Sequence, residues 1–308
     1  MNLSTIDAFK HMKVSGTVEP DDAQLRRLQL INAETVRDVF AVCEENRLAC
    51  MLGGGSALGA VRHRGFIPWD DDVDINMPRA DYDRFVPLFR ERFGDRYWVH
   101  DPRTTDNYGL ALMRIRRKGT SVRTREDITS GTPECGAFVD IFIIENTFDN
   151  AVLRGLHGLG SLAIGFLYSC RKFFYDRKAL AKWQADDRRL GPVFTLKRIV
   201  GLLVAFMSLD RWTRLWDRWN SLCHNGQSKR VTIPVGRQHY FREMGLRTDM
   251  CETRPAVFEG FDVKVPRNAE EYLVRLYGPD YMTPPPAEGR ERHVFFPPFE
   301  LGGEEGVA

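Results

Sequence analysis

Apolar residues recur along the first half of the chain at two different periods, and the switches between them mark out its elements. Leu25, Leu28, Val36, Val39, Phe40 and Cys43 stand at spacings near three and four, or sums of these. This predicts a helix from about Asp22 to Glu45, with Asn46 as its stop. Leu48 to Leu52 reads as a short strand, followed by Gly53, Gly54 and Gly55 and a short helix from Ser56 to about His63. After the turn at Gly65 to Pro68 the period changes to two. Val73, Ile75 and Met77 alternate with Asp72, Asp74 and Asn76, so one face of this strand is apolar and the other carries acid. A helix is predicted over Arg79 to Phe93. A strand follows from Leu110 to Arg116, with Leu110, Leu112, Arg114 and Arg116 on one face, and Gly136 to Ile144 is an almost wholly apolar strand.

From Leu153 to Leu222 the strand signals give way to Leu, Phe, Trp, Lys and Arg at helical spacing, broken at Gly191 and Pro192. This reads as a helical insertion. Near the C-terminus Asn268 can cap a helix with Glu271 three positions on, Tyr272, Leu273 and Leu276 form its apolar face, and Gly278 ends it. The tail after Pro284, with Pro285, Pro286, Pro297 and Pro298, is expected to be extended and partly mobile. No internal repeat is visible. The expected organisation is an N-terminal extension (1–20), a catalytic core (21–150), a basic helical insertion (151–240), and a C-terminal segment (241–308) that completes the core.

Composition narrows the class. A chain of 308 residues with 43% hydrophobic and 28% charged residues is globular, with material for one large core or two modest ones. A net charge of +2 argues against nucleic-acid binding by the chain as a whole. Residues 151–200, however, carry ten Lys or Arg against three Asp, so something acidic is expected against that stretch. The six cysteines are scattered without a C-x-x-C pair, which fits buried thiols in a reducing compartment. The N-terminus, with Asp7 and three cationic residues, reads as neither signal peptide nor anchor. The most apolar later run, Ile199 to Leu209, is about half the length that spans a bilayer. Both features lead to a cytoplasmic expectation.

The candidate chemistry gathers on the acid-bearing strand. Asp72 and Asp74 are one residue apart, so their carboxylates project to the same side about 7 Å apart at the backbone. Oxygen ligands of this kind favour Mg²⁺ or Mn²⁺ over zinc. A solvated acidic turn is the alternative, but an apolar strand face next to it makes an uncompensated cluster costly. Asp140 is the only charged residue from Gly136 through Ile144, and it calls for a partner: a buried Arg, or a metal shared with the neighbouring strand. The Gly53 to Ser56 loop opens a helix, where free amides favour a phosphate, although a tight turn would need the same glycines. It lacks the Lys-Ser/Thr of a P-loop and the spacing of a dinucleotide fingerprint. Arg62, His63 and Arg64, and Arg114 with Arg116, could meet diphosphate oxygens or be surface charge.

The stretch Met51 to Phe85, MLGGGSALGAVRHRGFIPWDDDVDINMPRADYDRF, closely resembles the signature of the LicD family. The glycine loop, the Gly65-Phe66-Ile67-Pro68-Trp69 turn, the acidic run and the Met-Pro-Arg all occur in order. Gly136 to Phe142, GAFVDIF, is similar to the family's third-carboxylate strand. Phe258 to Pro286 is similar to its C-terminal pattern of Val-Pro, Glu-Tyr-Leu, Tyr-Gly and clustered prolines. The resemblance covers roughly residues 25–145 and 255–295. It implies a nucleotidyltransferase-like α/β fold, a mixed sheet flanked by helices, with Asp72 and Asp74 as paired metal ligands and Asp140 as the third. It also implies transfer of a phosphorylcholine-like group from a CDP-linked donor to a hydroxyl of a cell-surface polysaccharide, lipopolysaccharide or teichoic acid. Gly54, Gly55, Ser56, Arg62, Arg114 and Arg116 would then hold the donor's diphosphate, and Asp140 or Asp72 would take the hydroxyl proton. One departure stands out: the family's proline-bearing ending after the third-carboxylate strand is replaced by Ile143-Ile144-Glu145-Asn146.

Two other functions fit the same residues: transfer of a nucleotide from an NTP to a small molecule, sugar or protein, and a non-catalytic nucleotide- or glycan-binding module. RNA tailing lacks a second basic and aromatic module. The basic helical middle, with Arg171, Lys172, Arg177, Lys178, Trp183, Arg188, Arg189, Lys197 and Arg198, either packs on the protein's own core or rests on an anionic membrane at the cytoplasmic face.

Overall fold

In the computed structural model, which describes residues 16–178, 180, 191–286, 289–290 and 292–302, the period-of-two segments pair into one mixed sheet. Helix α1 spans Asp22–Glu45, with Asp21 and Gln24 forming a reciprocal capping box at its start and Asn46 at its end. Strand β1 (Met51–Leu52), helix α2 (Gly54–His63), strand β2 (Asp74–Pro78) and helix α3 (Arg79–Phe93) follow. Next come β3 (Tyr97–His100), β4 (Met113–Arg117), β5 (Ser121–Arg123), α4 (Arg125–Ser130) and β6 (Phe138–Asn146). The main sheet runs β1-β2-β6-β4-β3, with β2 and β6 parallel and the other pairs antiparallel.

Register explains the division of labour between the two faces. Ile75 pairs with Ile141, which pairs in turn with Met113, and these residues join Val36, Val39, Phe85 and Phe89 of α1 and α3 in one buried core. Each fully buried Val or Ile there contributes about 1.5–3 kcal/mol. One position along, Asp74 pairs with Asp140 and Asp140 with Arg114, so these three charged residues lie side by side on the opposite face. A slip of one residue in any of these strands would exchange the faces.

Among the described residues, helices α5 (Ala151–Tyr175), α6 (Gly191–Leu203) and α7 (Leu209–Asn220) lie in the helical insertion between β6 and β7 (Arg230–Thr232), and β7 pairs back onto the end of β6. Trp183, Arg188 and Arg189 lie outside the described residues. The apolar run Ile199 to Leu209 is divided: α6 ends at Leu203, and Ser208 caps α7. Among the described residues, the helix long and apolar enough to cross a membrane by length and composition is instead α5, whose apolar stretch is interrupted by too few charges to exclude it. The chain then forms α8 (His239–Arg242), β8 (Gly245–Leu246), α9 (Arg247–Met250), the hairpin of β9 (Thr253–Phe258) and β10 (Phe261–Pro266), and α10 (Ala269–Tyr277). Asn268 caps α10 by accepting from the Glu271 amide, and Gly278 follows its last residue at φ +88°.

Three expectations need correction. The strand expected over Leu48 to Leu52 is only Met51–Leu52, because the Leu48 amide turns back to the Cys43 carbonyl to close α1. Leu110 and Leu112 precede β4 rather than belong to it, and line a cavity. The proline-rich tail is docked: β11 (Phe296–Glu300) pairs with β5, and Phe295 is buried among Leu28, Ile31, Val122 and Phe138. Pro297 and Pro298 have no amide to offer, which suits an edge strand whose register shifts between Phe296 and Phe299.

Arg116 is one of the largest fully buried side chains, and its guanidinium donates to both oxygens of the buried Asp127, at 2.6 and 3.2 Å. Asp127 also accepts from the Thr124 amide and hydroxyl at the start of α4. Asp127→Ala strands a buried cation and removes a cap, so chemical denaturation is expected to show a loss of about 3–5 kcal/mol. A loss below about 1 kcal/mol would mean that water reaches Arg116 once the pair is gone.

Candidate active site

The acidic turn before β2 is held from behind by polar residues of α1. Gln29 Nε2 donates to the Asp70 carbonyl at 2.9 Å and Asn32 Nδ2 to the Asp71 carbonyl at 3.2 Å, and both side chains are buried. A helix otherwise apolar on that side carries these two amides because the turn has backbone acceptors that strand pairing leaves unmet. From in front, the docked tail delivers His293. Its backbone amide donates to Asp71 Oδ2 at 2.8 Å, its Nδ1 lies 2.7 Å from Asp71 Oδ1, and the same nitrogen is 3.7 Å from Asp72.

Helix α2 begins two residues earlier than expected, at Gly54, and its glycines make room for carboxylates. A methyl group at residue 54, where φ is +45°, would overlap the Asp74 carboxylate, and one at residue 55 would come within 2.9 Å of Asp70 Oδ2. Ser56 Oγ accepts from the Asp74 amide at 2.9 Å, and the Gly54 amide donates to the Tyr272 hydroxyl at 2.9 Å. The N-terminus of α2 thus faces the protein's own acids, and the hydroxyl and the first amide expected to take a phosphate are engaged.

Arg114 and Asp140 are each other's partners. Arg114 Nε and Nη2 donate to the two oxygens of Asp140 at 2.6 and 2.7 Å, both residues are buried, and the guanidinium lies 3.7 Å over the Phe138 ring. The remaining nitrogen, Arg114 Nη1, is buried with no hydrogen-bond partner. The lone carboxylate of β6 therefore has a buried Arg as its neighbour, one of the two readings its sequence context allowed. Arg116, expected beside it, serves Asp127 instead. Arg62 donates to the Tyr281 carbonyl at 2.7 Å and is not among the residues that line the cavity.

Asp70, Asp71, Asp72, Asp74, Asp140 and Arg114 line one cavity of about 570 Å³, roofed by Tyr168, Lys172 and Phe173 of α5 and by Tyr272 and Tyr277 of α10. Arg125, Arg237 and Arg292 also reach its walls. Burial pushes the Asp72 carboxyl up to about 6; His293 and Arg114 pull against this, and Asp71 and Asp140 add to it. Burial, then repulsion from Asp72, lifts Asp74 and Asp70 well above the usual carboxylate range. For His293 burial opposes the charged form, yet Asp71 and Asp72 outweigh it and raise the imidazole to about 10. Carboxylates lifted by burial and then by one another form a site that a cation can neutralise. Ligand atoms of Asp71, Asp72 and His293 all lie within 4.8 Å of one another. His293, Asp71 and Asp70 were not singled out by sequence reasoning. The buried amides on α1 were the available signal for the turn; nothing local marked His293.

The replacement Ile143-Ile144-Glu145-Asn146 is structural. Glu145 is buried against Arg79, which also reaches Asp217 at 2.6 Å, so α3, β6 and α7 are joined by one ionic network away from the cavity floor.

A model of the LicD/FKTN/FKRP nucleotidyltransferase domain matches residues 47–152, the segment that builds β1, α2, β2, β4 and β6. The chain is 42% identical over 273 residues to the lipopolysaccharide cholinephosphotransferase LicD of Haemophilus influenzae, covering 87% of this chain and 95% of that one. A shorter match, 50% over 44 residues, is to the human ribitol 5-phosphate transferase FKRP, covering 14% of this chain and 9% of that one. The short match is local, but the Haemophilus protein aligns from one end to the other, through the insertion as well as the acidic strand. The chain belongs to the LicD family.

Proposed function

We infer that this LicD-family transferase moves a phosphorylcholine-like group from a CDP-linked donor to a glycan hydroxyl, in the cytoplasm, with a divalent cation, Mg²⁺ or Mn²⁺, at the acidic turn. The observation that carries this reading is the meeting, on one cavity wall, of a crowded carboxylate cluster and an arginine with an unmatched donor. The names of both relatives support it, since each describes transfer of a phosphate-bearing alcohol.

The donor set is rich in oxygen and has more acids than bases, which fits a hard cation. Asp72 and Asp74 would hold it, with Asp71 and His293 bordering the same site. When bound it supplies positive charge against the phosphate oxygens. Arg114 binds a phosphate oxygen through Nη1 while Asp140 fixes the guanidinium plane. Because both Asp140 oxygens are occupied by Arg114, the hydroxyl proton falls to Asp72, which is partly exposed to the cavity. The apolar and aromatic walls contributed by α5 and α10 exclude water from the transfer.

Purified protein incubated with Mg²⁺, a glycan acceptor and CDP-linked donors is expected to release CMP and leave the phospho-alcohol on the acceptor. Attachment of the nucleotide itself would instead establish nucleotidyl transfer.

Asp72→Asn and Asp74→Asn are expected to lower turnover more than about 100-fold. Their effect on the metal-free fold has a defined sign. Asp72 titrates near 6 when folded and near 3.8 when free, so the unfolded chain releases its proton first and stability falls as pH rises from about 4 to 6. The stability of Asp72→Asn relative to wild type should rise across that window by on the order of 2–3 kcal/mol. Denaturation curves that stay parallel between pH 4 and 7 would show that Asp72 is not crowded.

Asp140→Asn is expected to behave in the opposite way. It leaves Arg114 buried with a weaker partner, so the metal-free protein should lose about 3 kcal/mol at pH 7, read by urea denaturation. Unchanged or increased stability would make Asp140 a repelled ligand instead of an arginine partner.

A further inference from the structure

The N-terminal half of α5 presents an apolar stripe that the described residues leave uncovered. Val152, Leu156, Leu159, Ala163, Phe166, Cys170 and Phe174 follow one another at steps of three and four, so they lie along one side of the helix. At the far end Gly201 of α6 sits against Cys170 and Phe174, and covers them. At the near end Val152 is 70% exposed and Leu156 and Leu159 60% each. Helix α6 and the turn after it pack on the C-terminal half of α5, through Phe194 on Phe173, Lys197 on Ser169 and the Met207 carbonyl on Arg171, and leave the N-terminal half open. The end of α6 and the turn after it carry the same kind of surface: Ile199, Leu202 and Phe206 stand at steps of three and four and are all exposed, Phe206 by 79%.

The charge on these helices says what covers the stripe. Neither α5 nor α6 contains an Asp or Glu, whereas Arg154, Arg171 and Arg198 stand at least partly exposed on them; Lys172 and Lys197 turn inward, to the cavity and to Ser169. An apolar face with cations at its flanks and no acid is complementary to an anionic lipid surface. The opposite face of α5 is fixed to the protein. His157 bonds the Trp219 carbonyl and the Tyr240 hydroxyl, Ser161 donates to Asn220, and Tyr168 donates to the Gly109 carbonyl. Only one side of the helix can meet lipid, so α5 lies in an interface and does not span it, although it is long enough to do so.

We propose that the open face of α5, with the exposed apolar residues of α6, docks this protein on the surface of an anionic bilayer. The same helix lines the catalytic cavity further on, at Tyr168, Lys172 and Phe173. Val152 and Lys172 are about 30 Å apart along α5. Docking therefore fixes the distance between the lipid surface and the reaction, and selects acceptors whose glycan is anchored in that bilayer. The docking surface holds whatever group the cavity transfers.

Flotation of the full-length protein with vesicles tests it. With phosphatidylcholine containing about a third phosphatidylglycerol, the protein is expected to float at low salt, with binding that weakens as salt rises; with phosphatidylcholine alone, binding should be much weaker. The double variant Leu156→Asp, Leu159→Asp should bind about tenfold less, with its melting temperature and its turnover of a soluble acceptor unchanged. Wild-type protein that stays unbound on the anionic vesicles at low salt overturns the proposal without reference to any variant. So does a wild-type dimer in solution that fails to float and that the double variant dissociates, which would make a second copy the occupant of the stripe.

Discussion

Like charge held at short range is the constraint around which this molecule is arranged. The carboxylates of Asp70, Asp71, Asp72, Asp74 and Asp140 gather on one side of the cavity, against Arg114 and His293 as their immediate cationic neighbours. Such a cluster opposes folding, and its neighbours reflect this. Gln29 and Asn32 hold its backbone from α1, the glycines of α2 leave space for its side chains, and β11 carries a histidine into it. The parallel pairing of β2 with β6 makes the repulsion unavoidable, because it sets Asp74 directly beside Asp140.

The same constraint separates two kinds of ionic contact. Arg116–Asp127 and the Arg79–Glu145–Asp217 network have their charges matched within the chain, and they tie helices to the sheet. On the cavity floor Arg114 is paired with Asp140, while Asp70 and Asp74 are lifted well above the carboxylate range by burial and by Asp72. On the proposed function, a cation would offset these acids while Arg114 Nη1 met a phosphate oxygen.

Local pattern carried much of this to the surface of the sequence. The limits of α1 and α3, the Asn268 cap and Gly278 stop of α10, and the two faces of β2 follow from periodicity and capping, which act within a few residues. The acidic face was legible because Asp72 and Asp74 share a two-residue period. What escaped depends on contacts between distant positions. His293 meets Asp71 across 222 positions, and no spacing rule reaches so far. Arg114 could not be assigned to Asp140, nor Arg116 to Asp127, because adjacent arginines on one strand face look alike until register separates them. The tail read as mobile because prolines argue against a central strand; they are compatible with the edge strand it forms. Helix α5 reads as helical from Leu153 on, but its apolar length escaped notice because its apolar residues are spread through glycines and no single run stands out.

The docking of β11 also bears on when the site comes into existence. The acidic turn is made early in synthesis, but His293 and the strand that positions it belong to the last part of the described chain, and the Phe295 carbonyl accepts from the amide of Val18 near the first. A growing chain on the ribosome can assemble the sheet and still lack one wall of the cavity, because contacts of such long sequence separation form late. The wall that His293 supplies is thereby deferred until the residues of β11 have emerged, and a chain stopped before them would carry the acidic strand without the histidine beside it.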